Sequence, residues 1–133
     1  EKYLKIVQIE GRVIGDLAGN HIIPASIRYQ NLLINNIKGQ KDIGIPEKSY
    51  KAQLNILEEI SEHINKVQTL CYEMTEARKT ANVITDTREK AIAYCDEVKP
   101  YFDNIRYHVD KLELLVDDSE WELPKYRELL FLR

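Results

Sequence analysis

Two cysteines, Cys71 and Cys95, are all the thiols in the 133 residues. They form no CxxC pair, so a disulfide framework and a thiolate metal site of ordinary spacing are both excluded. Each reads as a small buried hydrophobe inside a helical pattern. No uninterrupted apolar run approaches the roughly 18 residues of a membrane span, and no signal-like stretch follows Glu1. No membrane partner is expected, and the expected location is cytoplasmic. There is also no block of one charge: 19 basic and 22 acidic residues are interspersed, for a net charge of −3. Without a basic stripe, nucleic acid is not an expected partner. Position 1 is not Met, and the chain opens directly into Tyr3, Leu4 and Val7. It reads as a piece cut from something longer.

Catalytic patterns are missing as well. There is no HExxH, no GxSxG, no Walker lysine loop and no strand pattern to present one. His21, His63 and His108 fall in three different helical patterns, and none has an acidic residue three positions before it, so the Glu-x-x-His pair of di-iron bundles is absent. They read as solvated or hydrogen-bonded histidines. Ser26 and Ser61 have no His at a spacing that suggests a nucleophile and its base. Glu58 with Glu59, and Asp117 with Asp118, are sequence neighbours that point apart and read as solvated surface. Tyr29, Tyr50, Tyr94 and Tyr101 lie on or beside apolar stripes, where a ring packs and its hydroxyl stays wet. No catalytic, cofactor-binding or metal-ligating residue is therefore nominated.

What the sequence does contain is helical periodicity. Val7, Ile14, Leu17, Ala18, Ile22, Ala25, Tyr29, Leu32 and Leu33 recur at helical steps. Ile6, Ile9, Val13 and Ile23 widen that face enough to meet more than one neighbour. A first helix is expected over 2–38, stopping at Gly39, with a kink near His21 to Ile23 because Pro24 lacks an N–H and crowds the preceding turn. Gly11, Gly15 and Gly19, four apart, share one side of it, which implies close packing of another helix. A second helix over 47–81 carries Leu57, Ile60, Ile64, Val67, Cys71, Met74 and Ala81 on a heptad seam broken only by Arg78. Asp86 and Glu89 have the spacing of a helix-starting cap. The third helix, 86–117, sets Ala91, Cys95, Val98, Phe102, Ile105, Val109, Leu112 and Val116 on its seam, with Pro100 off it. The expected fold is all-α: an antiparallel bundle of three long helices, the first and third kinked at proline, plus a short C-terminal helix or tail. One helical domain, 1–133, holds them all.

The tail, 118–133, differs from the rest. Trp121, Leu123, Pro124, Tyr126, Leu129, Leu130 and Phe131 crowd into eleven residues. Either they dock onto another domain or subunit, or they fold back to close the bundle's own end.

Three stretches carry a family resemblance: IIPASIRYQ at 22–30, EVKPYFDNIRYHVDKLELLVDDSEW at 97–121 and LPKYRELLFLR at 123–133. In content and order they resemble the C-terminal helical region of type III glutamine synthetases, and the similarity spans essentially the whole chain. The resemblance implies a parent glutamate-ammonia ligase, active in nitrogen metabolism and glutamine biosynthesis, that uses ATP and Mg (or Mn) and works as a homo-oligomer. Its catalytic residues lie in an upstream domain, so none is carried over to this chain. The segment is then a non-catalytic accessory domain without a cofactor of its own, inactive alone, whose partners are the remainder of the parent chain and neighbouring subunits. The alternative is a free-standing helical protein-protein interaction module with no enzymatic role.

Overall fold

A computed structural model describes residues 2–120 and is helical throughout its regular elements. The first rod comprises α1 (Lys2–Leu17), a π-helical turn (Ala18–Ile22) and α2 (Ile23–Asp42). A short 3-10 turn (Glu47–Ser49) leads into α3 (Lys51–Asn82). The third rod repeats the plan of the first, with α4 (Thr87–Ala93), a second π turn (Tyr94–Val98) and α5 (Pro100–Leu115). A last 3-10 turn (Asp118–Glu120) ends the described part.

Pro24 and Pro100 each stand two residues beyond a π turn. A proline cannot donate to the carbonyl four residues back, and its ring crowds that carbonyl; here those carbonyls are Asn20 and Asp96, each inside the π turn. The wider turn closes instead through Ile23 N–H to Ala18 O and Lys99 N–H to Tyr94 O, which are i to i+5 bonds. The extra residue also changes which side chains reach the core. Upstream of Val98 the heptad count slips by one, so Tyr94 is buried and Cys95 is exposed. The expectation that Cys95 is a buried seam residue is thereby corrected. Cys71, also expected to be buried on its seam, is only half-buried on α3, packed against the core, and that burial raises its thiol pKa.

The first rod ends later than expected. α2 runs through Gly39 to Asp42, because the residue that takes the left-handed conformation is Gly44, at φ +85. Gly44 N–H donates to Lys41 O and Ile45 N–H to Gln40 O, the paired bonds of a Schellman stop. Asp86 starts α4 as its spacing predicts, its carboxylate accepting from Glu89 N–H at 2.9 Å.

One core joins the rods. Leu4, Val7, Ile14, Ala18 and Ile22 from the first meet Ile60, Ile64, Val67, Met74 and Ala81 from α3, and Val98, Phe102, Ile105, Val109 and Leu112 from the third. Ile6, Ile9 and Val13 do not join it: they are 61%, 58% and 57% exposed, so the widened face expected for α1 has only one buried side here. Side-chain bonds across the seams fix the pairing. Asn36 meets Gln53 and Gln30 meets Ser61; Asn82 meets Tyr94 and His63 meets His108. In both sets one number falls as the other climbs. Between the first and third rods Tyr3 meets Lys99 and Glu10 meets Arg106, and the two numbers climb together.

Candidate functional site

The most concentrated chemistry among the described residues lies where α3 faces α5. His63 and His108 immediately precede the seam residues Ile64 and Val109, so each is held at the edge of the core, half-buried. Their Nδ1 atoms are 2.9 Å apart. The ring centres are 5.2 Å apart, a separation that sets the two nitrogens head-on, close to the line between the ring centres. One Nδ1–H therefore donates to the other ring's bare Nδ1, so the two neutral rings must be opposite tautomers. Burial, with His63 and Lys66 adding like charge, holds His108 below the usual histidine pKa. Around the pair is a groove of about 440 Å³ lined by Glu62, His63, Asn65, Lys66, Thr69 and His108.

Reading the histidines singly missed this pair. A signal was present: both occupy the position just before an a residue, at the flank of a heptad seam. Where two helices run in opposite senses, these flank positions face each other. The other polar groups tie rods together. Arg106 reaches Glu10 across the seam at 3.1 Å and Asp103 on its own helix at 3.6 Å. Arg28 donates to Glu120 O at 3.1 Å, and Lys99 lies 5.5 Å over the Tyr3 ring while donating to its hydroxyl. That hydrogen bond is the main cause raising the Lys99 pKa.

A Cβ at Gly11 would stand 3.5 Å from Cδ of Arg78 and 3.6 Å from the Phe102 ring; at Gly15 it would be 3.8 Å from Cε of Met74. These are ordinary contacts with side chains from α3 and α5. Arg78, the break in the heptad, thus lays its stem over the glycine opposite. Gly19 has nothing within 4 Å, since it lies in the π turn where the stripe rotates, so the expected close neighbour does not extend to it. Trp121, Leu123, Pro124, Tyr126, Leu129, Leu130 and Phe131 lie outside the described residues. Among the described residues no group of three or more His, Cys, Asp or Glu gathers as a metal site, and no helix is long and apolar enough to cross a membrane.

Seams of apolar residues edged by polar ties define a helical packing domain. Comparison with known proteins adds the family. Residues 1–41 match the family model of the glutamine synthetase C-terminal domain. A glutamine synthetase of Bacteroides fragilis (strain YCH46) is 47% identical over 135 residues, covering 98% of this chain. A type-3 glutamine synthetase of Dictyostelium discoideum is 28% identical over 140 residues, covering all of it. The chain spans 18% of the length of each relative. By these matches the chain is related to the C-terminal domain of glutamine synthetases, type III among them, the family its motifs resemble.

Proposed function

We propose that this chain is a non-catalytic helical accessory domain of a type III glutamine synthetase, supporting the stability of its subunit or the contacts of an oligomer. The parent joins ammonia to glutamate with ATP hydrolysis in the cytoplasm. The observation that carries this reading is the proportion of the matches: nearly the whole chain aligns, yet it makes up 18% of each relative. The remaining length is where ATP and Mg (or Mn) would be held. The fold we infer is an antiparallel bundle of three rods, the first and third bent at Pro24 and Pro100, with the tail as a fourth element.

A surface suited to that role lies on α1. Ile6, Ile9 and Val13 follow at steps of three and four along its solvent face, where the rest of the parent chain or a neighbouring subunit would cover them. The tail residues Trp121, Leu123, Pro124, Tyr126, Leu129, Leu130 and Phe131 are proposed as a second contact. The test is direct. The pure chain supplied with glutamate, ammonia, ATP and magnesium should form no glutamine above buffer, and turnover that scales with chain concentration overturns the proposal. Sequencing the coding region upstream of Glu1 separates it from a free-standing interaction module: a long open frame with clustered carboxylates supports the accessory domain, and a start codon beside Glu1 supports the module.

A further inference from the structure

The groove around His63 and His108 is not accounted for by packing. Its volume, about 440 Å³, is within the range of small-molecule pockets. Its fixed charges cancel, since Lys66 is opposed by Glu62 on the same lining. The imidazole pair therefore decides its sign. With one Nδ1–H shared head-on between the rings, the donor ring has a bare Nε2 and the acceptor ring an Nε2–H. One incoming proton can settle on the bare Nε2 without disturbing the shared bond. Both Nε2 atoms are then donors, and the groove moves from neutral to one net positive charge. A second proton would have to enter the shared bond and set two charged rings face to face, so the groove accepts one added proton far more readily than two.

We propose that this groove binds a small oxyanion, of the sulfate, phosphate or carboxylate kind, and takes up one proton with each anion bound. The Lys66 ammonium, the Thr69 hydroxyl and the Asn65 amide add donors to the two imidazole N–H groups. On the α5 side the Tyr107 ring stands edge-on to His108 at 5.0 Å, and the Lys111 ammonium lies 5.4 Å over that tyrosine. A metal ion fits the pair less well: on the line between the nitrogens, bonds of about 2.0–2.1 Å would need roughly 4 Å between them, against the 2.9 Å present. Burial also holds the His108 pKa below its usual value, which favours the unprotonated pair until an anion brings a proton with it. The groove would do this whichever protein carries it.

Histidine ring NMR tests this, with sulfate as the probe because its charge is constant across the range. The pH midpoints of His63, His108 and His21 are followed in sodium sulfate and in sodium chloride of equal ionic strength. Sulfate should raise the first midpoint of the His63 and His108 pair by about one pH unit, a tenfold tighter hold on the charged pair, and leave His21 where it is. Lys66→Gln, an exposed change that leaves folding intact, should remove most of that shift, and His108→Gln should abolish it at His63. Equal shifts in chloride, equal shifts at all three histidines, or a shift untouched by Lys66→Gln would each overturn the proposal. So would zinc alone, in equimolar amount, shifting both sets of ring signals and abolishing their pH dependence by binding the pair.

Discussion

Replacing Tyr94 and Cys95 separately by alanine tests the displaced register of the third rod. A plain heptad count puts Cys95 in the seam, whereas the π turn puts Tyr94 there, 1% exposed and within the main core. The Tyr94 hydroxyl donates to Asn82 Oδ1 near the end of α3. Truncating a buried aromatic ring to Ala typically costs about 3–5 kcal/mol through lost transfer energy and the cavity left behind. Removing only the hydroxyl, as in Tyr94→Phe, should cost about 0.5–1.5 kcal/mol. The ring itself then accounts for about 2–4 kcal/mol. Cys95 is exposed, and its contact with the Tyr3 hydroxyl is long at 3.7 Å, so Cys95→Ala should stay within about 0.5 kcal/mol of the parent. Urea unfolding followed by far-UV circular dichroism measures all three on one scale, with slope and midpoint fitted separately. Equal midpoints for Tyr94→Ala and Cys95→Ala, or a larger loss at Cys95, would refute the displaced register.

Phe102→Ala should cost about 3–5 kcal/mol, while Asp103→Ala, on the solvent side with its carboxylate 90% exposed, should change stability by about 0.5 kcal/mol or less; the same unfolding assay compares them. Gly11→Leu should lose about 1–3 kcal/mol by crowding Arg78 and Phe102, whereas Gly19→Ala, with open space around it, should gain about 0.4–1 kcal/mol. For pH, His108 sits below its ordinary value when folded, so the unfolded chain binds more protons and stability falls as pH drops below about 6.5; the loss ends once pH is under the folded value, and His108→Gln should flatten it in melts taken across that range. Deleting Leu123 to Arg133 should leave the melting temperature nearly unchanged and abolish self-association in sedimentation if the tail docks outward. A large loss of stability with unchanged association would show that it closes its own bundle.

The apolar periodicity made the rods legible, because Ile60, Ile64 and Val67, and Ile105, Val109 and Leu112, repeat at steps that only a helix places on one face. Asp86 and Glu89 marked a helix start for an equally local reason. Gly39 misled, since glycine stops a helix only where the backbone turns left-handed, and that residue is Gly44. Cys95 misled because the heptad count assumes a constant number of residues per turn. Ile6, Ile9 and Val13 are apolar without being buried by the described residues, so composition alone could not assign their neighbour. His63 and His108 are 45 residues apart, and their meeting depends on which helices pair, a property of tertiary contacts and not of either local sequence.

In evolutionary terms, the two π turns mark where this domain can change length. A π turn holds one more residue than an α turn, and the buried positions on either side, Ala18 with Ile22 and Tyr94 with Val98, keep facing the core across it. Removing one residue from 18–22 or 94–98 would convert the turn to ordinary α-helix without breaking either rod. A deletion elsewhere in α1, α3 or α5 would rotate every seam residue beyond it away from the core. Single-residue gaps between relatives within the helices should therefore gather just before the two prolines, and longer ones in the loop between Ile43 and Pro46.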